Sequence, residues 1–208
     1  MCANRTITGL TVEFVKGNSN FGGYLNGLTA LSGFKVCKAI LLVVDIDESL
    51  ADSFKYIREQ LMAVGFPTPT SQLQIANKQG FPSLAVLMIP HPIPASDARG
   101  ALETLLGTAM DSLNPNKSAC VKTMLDCAGV NTWGKKSSRD KAFVRSLIAS
   151  VNENDPMIGL PYCFGRKATL VPLGHACFDE VALVLRHFAA WSASTHREWS
   201  NWRVANSI

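Results

Sequence analysis

No run of apolar residues in this 208-residue chain approaches the ~18–20 that a membrane-crossing helix needs. The longest, Ala39–Val44 and Leu84–Pro90, have the length of strands. No apolar stretch follows the first charge, Arg5, so no secretory signal is expected. Charge is also scarce: Asp, Glu, Lys and Arg make up 17% of the residues, against ~25% in ordinary globular proteins. That excludes a disordered chain and a coiled coil, and it leaves apolar surface that a partner protein can cover. No C-x-x-C pair exists and the four histidines are scattered, which excludes a structural zinc site of the usual spacing. The six cysteines are spread along the chain, mostly inside apolar patterns such as Val36-Cys37 and Ala119-Cys120-Val121. They read as small buried hydrophobes, reduced in a cytoplasm.

What is present suits one domain. Hydrophobic residues are 47% of the chain, and a protein of this size buries roughly 70% of its unfolded surface without disulfides or metal. The net charge is +4 and unevenly placed. Residues 1–130 carry ten basic and ten acidic side chains, and residues 131–208 carry ten basic and six acidic. A bias of this size permits a polyanionic partner without requiring one.

Along the chain, Leu10–Val15 reads as a short strand, and Gly22-Gly23 as a turn into a helical stretch with Leu25, Leu28 and Leu31. Cys37–Val44 is a continuous apolar run ending at Asp45, the pattern of a strand buried on both faces in a parallel sheet. Leu50, Phe54, Ile57 and Leu61 mark an amphipathic helix ending at Gly65, with Asp52 in its first turn. Gln72–Ala76 reads as a short strand, Asn77–Phe81 as a turn, and Ser83–Ile89 as a second fully apolar strand stopped by Pro90. After a loop with Pro92 and Pro94, a helix is expected from about Asp97 to Leu113. Strand, helix, strand, helix is βαβ logic. Beyond residue 114 the pattern turns helical over Lys117–Ala128, Asp140–Val151 and Cys177–Trp191, with a composition at Ala168–Val171 that also suits a short strand. The expected fold is therefore α/β, a parallel βα core over about 9–113 and a helical part over about 114–191 in a single domain 1–191. A polar tail, 192–208, follows.

The chemistry centres on Asp45-Ile46-Asp47-Glu48-Ser49. A buried parallel strand delivers Asp45 at its carboxyl end, where α/β proteins place ligands. Converging carboxylates repel one another, and a hard divalent cation, magnesium by preference, relieves that repulsion. Asp45 and Asp47 are the expected metal ligands, with Glu103 a further one; the alternative is that these acids cap helices or face solvent. Lys135, Lys136, Arg139, Lys141 and Arg145 form a basic segment that can hold a phosphate backbone beside a metal, or simply a solvated helix face. His91, His175 and Cys163 read as structural or solvated. Trp191, Trp199 and Trp202 form an aromatic group that docks on this chain or on a partner.

The stretch Lys38–Glu48, followed by Phe54, Ile57, Leu61 and Gly65-Phe-Pro, resembles the Asp-x-Asp strand and helix of the Toprim superfamily (topoisomerases, primases and the overcoming-lysogenization-defect nucleases). More specifically, it resembles a small bacterial Toprim-related family of unknown function. That likeness continues through Leu87-Met-Ile-Pro90, Gly100-Ala-Leu-Glu103 and Trp133-Gly-Lys-Lys to Asp140-Lys141-Ala142-Phe-Val-Arg145, covering roughly residues 10–190. It implies a Toprim-like core, magnesium, and a glutamate that moves the proton. Glu13, in the strand preceding Asp45, is the expected catalytic residue. The chain departs from the superfamily in having only one strand and one helix before Asp45, and His91 where an acid is expected.

Three functions follow as expectations. The first is magnesium-dependent phosphoryl transfer or nucleic-acid processing, as a phosphodiesterase or nuclease on nucleic acid or another phosphorylated substrate. The second is a catalytically degenerate module that binds a protein partner. The third is a haloacid-dehalogenase-like phosphatase, which also uses an apolar strand ending in Asp-x-Asp; here Ser49 stands in the Thr/Val slot and the downstream acidic motif is missing. No membrane association is expected.

Overall fold

The computed structural model describes residues 13, 15, 17–91, 99–165 and 170–193. Its elements, in order, are α1 (Phe21–Leu28), β1 (Ala39–Asp45), α2 (Leu50–Ala63), β2 (Ser83–Ile89), α3 (Leu102–Leu113), α4 (Pro115–Cys127), α5 (Lys136–Val151), α6 (Leu160–Gly165) and α7 (Asp179–Ala193). The fold is mixed α/β. Two compact units divide it: one holds Asp45–Leu50 and Ile89–Glu180, and the other holds, among the described residues, 17–44, 51–88 and 181–193.

The βαβ motif lies in the second of these units, apart from Asp45, Leu50 and Ile89 at the ends of its elements, which belong to the first. β1 and β2 pair with each other, and their ends rise in register: Ser83 N–H donates to Lys38 O at 3.0 Å, and Ile46 N–H donates to Ile89 O at 2.8 Å. Pairs that advance together along both chains make the strands parallel. β2 is buried along its whole length, as its unbroken apolar run demands. β1 is not: Leu42 and Val44 are buried, but Val43 is 44% exposed, so its expected burial on both faces is corrected. Among the described residues, the other flank of β2 meets Ala76, through an antiparallel bridge to Leu84, and Leu73 N–H, which reaches Val86 O at 2.8 Å. The strand expected over Gln72–Ala76 is thus reduced to one bridge. Leu73 sits at φ 57, and the Gln74 side chain folds back to accept from Thr70 and Ser71, which breaks an extended run.

α2 carries the expected stripe, with Ile57 and Leu61 fully buried. It closes on Gly65, whose φ of 73 suits a residue without Cβ, while Phe66 N–H returns to Leu61 O at 2.9 Å. Phe34, Phe66 and Phe81 pack edge to face beyond it. Gly22 and Gly23 lie inside α1 rather than in a turn before it. In a helix's first turn an N–H has no helical partner, and that of Gly22 goes to Gln60 Oε1 at 3.0 Å.

The other unit is built on α3, α4 and α5. Leu106, Met110, Val121, Leu125, Val130, Val144, Leu147 and Ile148 share one core, joined by Cys163 of α6 and by Val171. Gly107 lets α5 approach α3 closely, because a Cβ there would lie 3.2 Å from the Phe143 ring. α3 starts at Leu102, not near Asp97, and α5 starts at Lys136, four residues earlier than expected. α6 has no counterpart among the expected elements; of the short strand suited to Ala168–Val171, the first two residues lie outside the described residues, and Leu170–Val171 form a turn. Of the described cysteines, all free, Cys163 is buried, Cys177 is partly buried, and Cys37, Cys120 and Cys127 are exposed. The reading of the cysteines as buried hydrophobes therefore holds for Cys163 and fails for these three; for Cys120 and Cys127, in α4, apolar neighbours in sequence point around the helix rather than share its inner face. Most of the strand expected at Leu10–Val15, the loop 92–98, and the tail beyond Ala193 with Trp199 and Trp202 lie outside the described residues; Glu13 and Val15 belong to no regular element. Among the described residues no helix is long and apolar enough to cross a membrane.

Candidate functional site

The carboxyl end of β1 runs into a loop that meets the start of α3. The Ala101 methyl, at the N-cap position, cannot accept a hydrogen bond, so α3 is capped from a distance: Leu102 N–H donates to Asp45 Oδ1 at 2.9 Å across 57 residues of sequence. Asp47 lies at φ 55 and pairs its backbone both ways with Gly100, N–H to O at 2.7 Å in each direction. Glu48 Oε1 accepts from Ser137 N–H at 3.3 Å, in the first turn of α5. Acids at the starts of two helices are favoured by the partial positive charge there.

Asp45 is nevertheless electrostatically uncomfortable. Burial pushes its pKa above the ordinary carboxylate value; the Leu102 N–H pulls the other way, Glu103 and Asp47 add repulsion, and Lys141 offers a weaker relief. Of the expected ligands, Asp45 thus feels the charges of both Asp47 and Glu103, and that of Lys141 as well. Hard carboxylate oxygens are the right donor type for magnesium, which commonly takes one or two carboxylates and completes its shell with water and substrate oxygens. Among the described residues, however, no three His, Cys, Asp or Glu side chains are grouped to hold a metal ion. The residues fit a shared hold of that kind and not a closed protein cage.

The basic segment is dispersed by its contacts. Lys136 Nζ pairs with Asp140 Oδ2 at 2.6 Å, in a partly buried bridge, and Arg139 Nη1 donates to Trp133 O at 2.7 Å. Lys135, Lys141 and Arg145 are exposed. Of the five, the charge of Lys141 is felt at Asp45. Glu13 belongs to the other unit, where it is exposed and its carboxylate accepts from the Tyr24 hydroxyl. Burial and then the Glu13 charge raise the Tyr24 pKa. His91 follows β2 by two residues; burial lowers its pKa against the pull of Glu180, and its Nδ1 has no hydrogen-bond partner among the described residues. Sequence reasoning missed Gly100, Thr104 and Asp140, which frame the Asp-x-Asp loop; the cue was Gly100-Ala-Leu-Glu-Thr104, a glycine followed at helix-cap spacing by a hydroxyl.

No curated protein and no solved structure matches the chain. A family model described as "Protein of unknown function (DUF3226)" matches residues 6–191, and the chain belongs to that family.

Proposed function

We propose that the carboxyl end of β1 is a magnesium site and that the protein acts on phosphate-bearing substrates, by phosphoryl transfer or nucleic-acid processing. The observation that carries this reading is the crowding of negative charge at Asp45, where burial, Glu103 and Asp47 all disfavour the ionised carboxylate. A helix cap needs one acceptor; two further acids beside it cost stability unless a cation offsets them. Asp45 and Asp47 would hold the ion, with Glu103 as the further ligand, directly or through water. Bound magnesium neutralises phosphate oxygens and the charge that develops on a leaving group. Lys141 draws a phosphate toward the same place, and exposed Lys135 and Arg145 extend the attraction along α5.

A second reading is a module without catalysis that binds a protein partner. It is favoured by the use of Asp45 Oδ1 and Glu48 Oε1 on the starts of α3 and α5, and by the lack of a three-ligand group among the described residues. The phosphatase reading gains no comparable support, since Ser49 stands in its Thr/Val slot and its downstream acidic motif is missing.

Titrating magnesium and manganese while following thermal unfolding separates the two. Asparagine keeps an oxygen for the Leu102 N–H, so Asp45→Asn/Asp47→Asn removes charge without removing the cap. A specific site adds about 2.7 kcal/mol at a hundredfold excess of metal over its Kd, in the unsubstituted chain and not in the double variant. Equal responses would eliminate the cation site and leave the binding module.

A further inference from the structure

Three successive backbone amides fix the turn beside the Asp-x-Asp loop, the outer two on that loop and the middle one on α3. Gly100 N–H donates to Asp47 O at 2.7 Å, Ala101 N–H to Thr104 Oγ1 at 3.0 Å, and Leu102 N–H to Asp45 Oδ1 at 2.9 Å. The middle one depends on a side chain. Thr104 Oγ1 accepts from Ala101, donates to Asp140 Oδ2 at 2.5 Å, and lies 3.4 Å from Lys136 Nζ, which itself donates to that Asp140 oxygen at 2.6 Å. One donor and two acceptor sites exhaust what a hydroxyl offers. Gly100 completes the fit: at φ 131, a Cβ there would stand 2.3 Å from Thr104 Oγ1. Ala101 is fully buried, so without the hydroxyl its N–H would have no acceptor and the turn would have to move to find one.

We propose that Thr104 is the positioning residue of the Asp45–Asp47 site, and that Lys136 serves it through Asp140 instead of contacting substrate. The idea rests on the cation-site reading, because what is positioned is the pair of acids that would hold the ion. A chain of contacts runs from α5 through Asp140 and Thr104 to the 100–102 turn, and from that turn to both acids. Charged, partly buried partners make its links stronger than ordinary surface bonds. Lys136 is therefore neutralised where it stands, which leaves Lys141 as the cation of α5 whose field reaches Asp45.

The test compares Thr104→Val, which keeps the shape and loses the hydroxyl, with Thr104→Ser, which keeps the hydroxyl. Amide hydrogen exchange of the metal-free chain is read at Gly100, Ala101 and Leu102, and the manganese dissociation constant is read by calorimetry. The valine variant is expected to exchange about tenfold faster at these amides, the equivalent of one lost net hydrogen bond, and to bind manganese several-fold more weakly. Serine restores both, and Lys136→Met loosens the same amides. Unchanged exchange in the valine variant, or exchange loosened equally by serine, overturns the positioning role while manganese binding to the unsubstituted chain keeps the site itself. Unchanged exchange in Lys136→Met overturns the part given to Lys136. Manganese that fails to bind the unsubstituted chain overturns the cation-site reading, and with it what Thr104 is proposed to position.

Discussion

β1 and β2 begin from the same kind of sequence, seven-residue strands made almost wholly of aliphatic side chains, yet they are used differently. β2 buries every residue and has a backbone neighbour on each flank, β1 on one side and Leu73 and Ala76 on the other. β1 exposes Val43, and among the described residues its backbone neighbour is β2. β2 ends in Ile-Pro, where pairing stops; β1 ends in an aspartate whose carboxylate caps a helix 57 residues on. The comparison teaches that an apolar run specifies a strand, while what lies on its flanks decides whether the strand acts as core or as a platform for polar groups. β2 is the first kind and β1 the second.

The largest test of that contrast is Leu87→Ala in β2. Leu87 is fully buried, so truncation should cost about 2–5 kcal/mol in urea unfolding. A cost below 1 kcal/mol would mean that β2 is not the packed strand described. Next comes Gly100→Ala, beyond the end of β1, where positive φ and the contact with Thr104 predict a loss of about 1–3 kcal/mol. Serine in place of Thr104 should not relieve this loss, because the clash is with the hydroxyl oxygen that both residues carry.

Asp45 sharpens the comparison through its charge. Asp45→Ala removes the α3 cap and should cost about 1 kcal/mol. Asp45→Asn keeps the cap and separates the two effects by pH. A carboxyl whose folded pKa is raised binds its proton more tightly in the folded chain than in the unfolded one. Its contribution to stability therefore falls as pH rises from the ordinary carboxylate value through the raised one, and it remains unfavourable at neutral pH. The asparagine variant should consequently be more stable than the parent at neutral pH in the absence of metal, and should lose that advantage below the carboxylate range. Thermal unfolding across pH checks this; an aspartate that stabilises more than asparagine at neutral pH would contradict the crowding argument. The smallest effect is expected at Val43→Thr, within about 0.5 kcal/mol, since the position is exposed to water and threonine keeps its shape.

Part of this architecture is legible in the residues themselves. The 3.6-residue recurrence of Leu50, Ile57 and Leu61 and the unbroken run Ser83–Ile89 locate α2 and β2 with their bounds, because both signals are strong and local. The two helix starts at the site depart from their expected places for the opposite reason. α3 begins at Leu102 because its first amide is taken by Asp45, and α5 begins at Lys136 because Glu48 covers an early amide and Lys136 pairs with Asp140 one turn on. Asp45 and Glu48 are far in sequence from the helices they cap, so no window of residues contains the signal. Asp45, Asp47 and Glu48 are visible in the sequence as closely spaced acids after an apolar run. The glycine, threonine and aspartate that frame them are not, since each looks like an ordinary helix or turn residue until its partners are known.

The sequence alone determined β1, α2, β2 and the longer helices after them, in that order, since periodicity and apolar runs act over a few residues and each of these stretches carries its own pattern. It also set Asp45, Asp47 and Glu48 close together in the chain where β1 ends. Tertiary structure decided which strand would be buried on both faces, which cysteines would meet water, and which lysine would be neutralised. It decided, too, that Asp45 would be both a helix cap and a crowded charge. Those outcomes depend on partners brought together from distant parts of the chain, and the energy of burial and hydrogen bonding exists only once they have met.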